Sequence, residues 1–275
     1  MANIIPMAGR GSRFTSEGYL LPKPLIPVSG KPMIIQVIRS LPKSDKWIFL
    51  VRQEHISDYA IDKIIKSEIT SAIIVPISED TEGQASTCVL AMPHLSPEEE
   101  MFVAACDNSF LFDKDKFIKL AKDPRVDSVI WTFTRSRLLI ENPQAWGWVQ
   151  LDNDGVTIRN MPVKKPVSDD PFNDHAVVAT FYFKKARQFQ TAYEMMKTEN
   201  YRINNEFYVD SMPIFYNKLN LRSVIFDVDL YVGWGKPSDL HQYELKEYLC
   251  EQNIFPTGDK EFKLWQKFFK QKLIN

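Results

Sequence analysis

The chain has 275 residues, 44% of them hydrophobic and 12% aromatic, enough to bury an ample core in one large α/β domain or two small ones. Its 34 basic and 35 acidic side chains leave a formal net charge of -1, so no global field draws nucleic acid and any anion site has to be local. Met1 runs directly into an apolar segment without room for a signal peptide, no apolar run approaches membrane-spanning length, and Cys88, Cys106 and Cys250 lack metal-ligand spacing. A soluble cytoplasmic protein with reduced thiols is expected.

Residues 3–7 read as a strand that opens into Ala8-Gly9-Arg10-Gly11-Ser12-Arg13-Phe14, and Leu21-Pro22-Lys23-Pro24-Leu25 follows in the same loop. Two glycines let the backbone approach a ligand with its N–H groups turned toward it. Arg10, Arg13 and Lys23 add cationic donors, the combination a polyphosphate needs. The dinucleotide fingerprint is excluded because Phe14 stands where its third glycine belongs and no acidic residue follows at the required distance; the P-loop is excluded because its closing Gly-Lys-Ser/Thr is missing. Residues 25–28 read as extended, and Ser29-Gly30-Lys31-Pro32 leads into a helix that starts at Pro32.

Strand-like runs at 47–51, 72–77 and 101–105 alternate with helical periodicity at 56–65 and 84–92, the pattern of a mostly parallel sheet with helices on both faces. Between them, Thr81-Glu82-Gly83-Gln84 forms a turn into a helix. Gly83 and Gln84 there either offer close approach and free amides to an anion or a base edge or make an ordinary capped turn. Asp107 closes the run 101–105 at the carboxyl end of a strand, where open α/β sheets place their ligands, and a carboxylate there suits Mg²⁺.

In the second half, 126–133 and 177–183 read as strands, and 146–151 pairs with 156–159 across the hairpin tip Asn153-Asp154-Gly155. Helices are expected at 185–197, 207–219 and 239–248, with the last strand at 221–228. Phe262, Trp265, Phe268 and Phe269 share one face of a terminal helix, which suits packing on its own domain or a second subunit, hence a possible homo-oligomer, better than a membrane surface. The histidines form no ligand spacing, and neither a Ser-His-Asp nor a Cys-His arrangement is visible. The expected architecture is α/β: a Rossmann-like, mixed and mostly parallel sheet flanked by helices, with a small antiparallel insertion. A single domain is expected over 1–255, with a helical appendage at 256–275.

Gly-x-Gly-Ser-Arg-Phe followed by Pro-Lys-Pro resembles the signature of the sugar nucleotidylyltransferases, the nucleoside-diphosphate-sugar pyrophosphorylases. The resemblance covers nearly the whole chain and implies a GT-A-like nucleotidyltransferase fold, with a nucleotide-binding half of about 1–125 and an acceptor-binding half of about 126–255. It assigns Ala8 to Ser12, with Gly83 and Gln84, to the nucleotide, and Arg13 and Lys23 to catalysis. It also gives Mg²⁺ to Asp107, although Cys106 replaces the family's preceding glycine. Trp146-Gly147-Trp148-Val149, Val163-Lys164-Lys165-Pro166 and the segment from Asn205 to Asp210 are similar to the acceptor-binding elements, which implies Gly147, Lys165 and Glu206 as contacts. The closing segment from Val232 to Leu240 is similar to Asp-x-Gly-Thr-Pro-x-x-Leu, but Gly233 stands where the aspartate that provides the second Mg²⁺ ligand belongs. Asp227 and Asp229 are nearby substitutes, Asp229 the nearer in sequence.

The implied reaction is in-line attack of a phosphate monoester on the α-phosphorus of a nucleoside triphosphate, releasing pyrophosphate. A monoester with a second pKa near ~6 is largely dianionic at neutral pH, so no general base is required and the enzyme's task is positioning and charge neutralisation. The partners would be the triphosphate and a sugar phosphate or non-sugar monoester, and the usual family setting is capsule, lipopolysaccharide or another cell-surface polysaccharide. Two other classes remain open. A glycosyltransferase of similar topology would show Asp-x-Asp where this chain has Asp107-Asn108-Ser109, and a nucleotide-sensing subunit would bind without catalysis.

Overall fold

The computed structural model describes residues 1–254 and 260–274, so the expected boundary between 255 and 256 lies outside the described residues. The strands are β1 (Ala2–Met7), β2 (Pro27–Val28), β3 (Lys31–Pro32), β4 (Lys46–Arg52), β5 (Ile73–Ile77), β6 (Met101–Ala104), β7 (Asn108–Leu111), β8 (Ser128–Phe133), β9 (Trp148–Leu151), β10 (Ile158–Asn160), β11 (His175–Phe183), β12 (Ser223–Asp227) and β13 (Leu230–Gly233). The helices are α1 (Ser12–Thr15), α2 (Met33–Ser40), α3 (Gln53–Tyr59), α4 (Ile61–Glu68), α5 (Gln84–Val89), α6 (Lys114–Ala121), α7 (Arg137–Glu141), α8 (Ala186–Thr198), α9 (Met212–Lys218), α10 (Pro237–Glu251) and α11 (Lys260–Ile274).

Among the described residues the main sheet has nine strands. β5, β4, β1 and β6 run parallel side by side, β11 is antiparallel to both β6 and β8, and β12 returns parallel to β8. The hairpin of β9 and β10 joins at β11, and β7 pairs with β13 in a separate two-stranded ribbon. Successive residues of a strand face opposite sides. Ile4 accordingly packs with Ile48, Leu50, Val103, Phe181 and Phe183 on one face, whereas Ile5 packs with Met7, Phe49, Phe102 and Trp131 on the other. Trp131 is fully buried, with the Phe102, Phe110, Phe112, Phe117 and Phe226 rings 4.7–5.3 Å away. The mixed, mostly parallel α/β architecture with an antiparallel insertion is the expected one.

Several elements depart from the expectation. Residues 25–28 are only partly extended, because a 3₁₀ turn occupies Lys23–Leu25. The helical stretch 56–65 is two helices, broken at Ala60, whose left-handed φ of 51° lets its amide close the last turn of α3 on Ile56. α5 ends at Val89, and the chain runs on through a 3₁₀ turn containing Pro93. α9 starts at Met212 instead of 207, because both backbone groups of Phe207 are engaged elsewhere: its amide donates to Glu82 O (2.7 Å) and its carbonyl accepts from Ala85 N (2.9 Å). The strand at 221–228 is not the last, since β13 follows it. The sequence reading also passed over α6, capped by the Asp113 carboxylate on Lys116 N at 3.0 Å. The aromatic face of α11 packs on this same domain, with Trp265 and Phe268 7% and 6% exposed. No described helix is long and apolar enough to cross a membrane.

Candidate active site

The carboxyl ends of β1, β5 and β6 open into residues 8–26, 78–83 and 105–107, on the edge where a parallel sheet gathers loop residues from separate strands. In the first loop, Gly11 has φ 65°, and a Cβ there would lie 3.1 Å from Lys23 Cβ. This glycine is required for the loop to lie against Lys23. At Gly9 a Cβ would meet no atom within 4 Å, so the protein's own packing does not demand a glycine there. Among the described residues, the amides of residues 9–13 donate to no protein acceptor.

The three cations of this loop have different partners. Arg13 is exposed and has no carboxylate partner among the described residues. Lys23 is 21% exposed, and its Nζ donates to Asp107 Oδ2 at 2.7 Å. Burial works against the Lys23 charge, but the Asp107 carboxylate outweighs it and holds the pKa above the ordinary lysine value. Arg10, expected at the nucleotide, donates through Nε to Asp80 Oδ2 at 3.0 Å. Arg52 reaches the same carboxylate at 2.7 Å and the Ala8 carbonyl at 3.1 Å. Hydrogen bonds from Arg10 and Arg52 lower the Asp80 pKa to about 2.

Gly83 is buried, with φ 123°. A Cβ there would sit 2.6 Å from Phe207 N and 3.0 Å from Glu206 Cβ. The close approach that Gly83 permits is therefore made by the chain itself, and the turn carrying half-buried Gln84 is stapled to the segment carrying exposed Glu206. Gly147 has a similar neighbour: a Cβ would fall 2.5 Å from Asp210 Oδ2. Gly147 also bridges to Val163, two positions before the exposed Lys165, and its carbonyl accepts from Val177 N at 2.9 Å. The same stretch of β11 reaches the Asp107 turn, because Asn108 Nδ2 donates to Val178 O at 2.7 Å. Thus Lys23 with Asp107, Gly147 with Asp210, and Gly83 with Glu206 belong to linked segments.

Asp229 is not brought to Asp107. Its amide donates to Leu111 O at 2.8 Å, and in the β7–β13 ribbon Leu230 faces Leu111 while Gly233 faces Asn108. It therefore lies at the far end of β7, about 13 Å of strand from Asp107. It pairs with Lys267, at 4.0 Å. Asp227 is held by Thr132 Oγ1 (2.6 Å) and His175 Nδ1 (2.8 Å).

Two carboxylates at this edge went unread in the sequence. Asp210 stands against Gly147, and burial raises its pKa to about 6. Asp239 opens α10, and burial, reinforced by the Asp107 charge, raises its pKa above the usual carboxylate value. Both lie inside segments that carry the family resemblance, 205–210 and 232–240, so the signal was present as a carboxylate within a quoted motif. A cavity of about 330 Å³ between α2, β7 and α11 is lined by Gln36, Phe110, Trp234 and Phe268 and by none of these carboxylates. Among the described residues no three metal-ligating side chains cluster.

Residues 3–134 match the family model of the MobA-like NTP transferase domain. No curated protein matches the sequence. Among solved structures, the chain is similar to the nucleoside-diphosphate-sugar pyrophosphorylase of Vibrio cholerae RC9, with TM-score 0.69 and 18% identity over 88% of this chain and 98% of that one. It is similar to the inositol-1-phosphate CTP transferase of T. maritima, with TM-score 0.68 and 16% identity over 89% and 94%. It is also similar to a UDP-glucose pyrophosphorylase complexed with UDP-glucose, with TM-score 0.65 and 17% identity over 90% and 99%. At these identities the shared property is the fold, and it is the fold the resemblance implied.

Proposed function

We propose, from an NTP transferase domain over residues 3–134, that this chain is a nucleotidylyltransferase joining a nucleoside triphosphate to a small phosphate monoester. The monoester oxygen forms a bond to the α-phosphorus, the bond to the bridging oxygen breaks, and pyrophosphate leaves. One observation carries the reading: among the described residues, five successive amides, from Gly9 to Arg13, donate to no protein acceptor, and they adjoin Lys23 and an Arg13 without a carboxylate partner. Free amides with fixed cations make a polyphosphate cradle.

The amides and Ser12 would bind the triphosphate, Arg13 the departing pyrophosphate, and Lys23 the α-phosphate. Arg10 contributes less directly, since Asp80 already shares its charge. Gly83 and Gln84 shape the nucleoside side, with Phe207 fixing the turn. Lys165 would hold the attacking phosphate, and Glu206 and Gly147 would line the acceptor. The acceptor is a sugar phosphate or a related non-sugar monoester, and the activated product would feed cell-surface polysaccharide synthesis from the cytoplasm.

A divalent cation fits the donors present. Asp107 offers hard carboxylate oxygens, and the Lys23 ammonium 2.7 Å away shows that a cation is accommodated there. Bound Mg²⁺ would neutralise phosphate charge; among this chain's residues, Asp107 would hold it. A screen of pyrophosphate release, crossing four or five triphosphates with a panel of phosphate monoesters and Mg²⁺, tests the proposal. Turnover supports it. Transfer or hydrolysis from a nucleotide sugar would assign a glycosyltransferase instead, and binding without turnover a sensing subunit.

A further inference from the structure

The expected second carboxylate is missing at Gly233, and the nearby candidates on β12 and the following turn are engaged elsewhere. Asp227 is bonded to Thr132 and His175, and Asp229 lies at the wrong end of β7 beside Lys267. The chain nevertheless brings another carboxylate to Asp107. The Trp234 amide donates to the Asp107 carbonyl at 2.8 Å, clipping the start of the closing segment to the turn between β6 and β7. Gly235 follows, then Pro237 at the first position of α10, and the buried Leu240 anchors the first turn of that helix. Asp239 is carried on that turn.

A Cβ on Gly235 would lie 3.3 Å from Asp107 Oδ2 and 3.9 Å from Asp239 Oδ2. The two carboxylates thus face one shared space, which the absence of a side chain at 235 keeps open. Each already holds an ammonium group, Lys23 on Asp107 at 2.7 Å and Lys236 on Asp239 at 3.6 Å.

We infer that Asp239 supplies the second carboxylate of the divalent-cation site whose first carboxylate is Asp107, taking over the role that Gly233 cannot perform. The donor set is two carboxylates with room for substrate phosphates, the composition that suits Mg²⁺ rather than a soft metal. The inference rests on the nucleotidyl-transfer reading for the use made of the cation, but cation binding can be read without turnover.

The test is titration with Mn²⁺ as spectroscopic probe, following the free-ion paramagnetic resonance signal, with the full chain alone and with each triphosphate. Asp239→Asn and Asp107→Asn are each expected to weaken Mn²⁺ binding by roughly tenfold or more, because affinity at such sites follows the number of charged oxygen ligands. Asp229→Asn should leave it unchanged. Gly235→Ala, whose methyl group would fill the shared space, should weaken it without removing a charge. Thermal melting of each variant controls for folding. Mn²⁺ binding by folded Asp239→Asn at wild-type strength, both alone and with triphosphate, would overturn the inference, as would a loss produced by Asp229→Asn. A wild-type chain that binds Mn²⁺ through Asp107 and Asp239 yet turns over no triphosphate would sink the proposed function and leave this site standing.

Discussion

Replacing Gly83 by alanine tests whether this glycine serves the protein's packing or a ligand. The new methyl group would sit 2.6 Å from Phe207 N and 2.7 Å from Phe207 O, with backbone angles of φ 123° and ψ 178° that only glycine adopts without strain. The strain alone costs about 1–3 kcal/mol. Phe207 has no easy retreat: its ring is buried, its amide donates to Glu82 O, and its carbonyl accepts from Ala85 N. Giving up these two hydrogen bonds adds about 1 kcal/mol each. The expected loss is therefore about 3–5 kcal/mol, a large part of the roughly 5–15 kcal/mol that holds a typical domain. Urea unfolding followed by tryptophan fluorescence should show a lower midpoint with an unchanged slope. Under the proposed function, the surviving folded protein should have a raised KM for the phosphate monoester, because the displaced segment carries Glu206 and Asp210. An alanine variant with wild-type stability but no nucleotide affinity would refute this account and return Gly83 to the ligand.

Arg13→Ala and Lys23→Ala should each reduce turnover about a hundredfold or more, as loss of one preorganised donor to a developing charge does; pyrophosphate release at wild-type rates by both would refute their roles. Asp210, raised by burial from 3.8 to about 6, keeps a proton in the native state that the unfolded chain releases at lower pH. Its contribution to stability is full below pH ~4 and is lost as pH rises through the native value. Asp210→Asn should therefore match the wild type near pH 4 and exceed it at pH 8 by up to about 3 kcal/mol, an upper limit because the side chain is partly exposed. Urea melts at the two pH values check this, and an unchanged difference between them would refute it. Trp265→Ala, at a residue 7% exposed, should cost about 3–5 kcal/mol and lower the melting temperature without changing the sedimentation coefficient; an unaltered melting temperature would show that α11 does not stabilise the domain.

The opening strand, the glycine loop and the alternation that predicts a parallel sheet were legible because each depends on residues adjacent in the chain. The aromatic stripe of α11 was legible for the same reason, as a helical periodicity. Errors collected where a distant segment decides local conformation. Phe207 reads as helical, yet the turn at Gly83 holds it extended. Ala60 breaks a helix without the glycine or proline that would mark the break.

The sheet class, the order of its main elements and a short list of cations proposed for phosphate could be read from the chain alone, since these follow from periodicity and residue chemistry. Tertiary structure decided how those groups are paired: Arg10 with Asp80, Lys23 with Asp107, and Asp239 rather than Asp229 beside Asp107. The physical reason is that proximity in sequence ranks Asp229 first, whereas the register of β13 on β7 carries Asp229 to the far end of the ribbon and returns the chain, through Gly235, to Asp107.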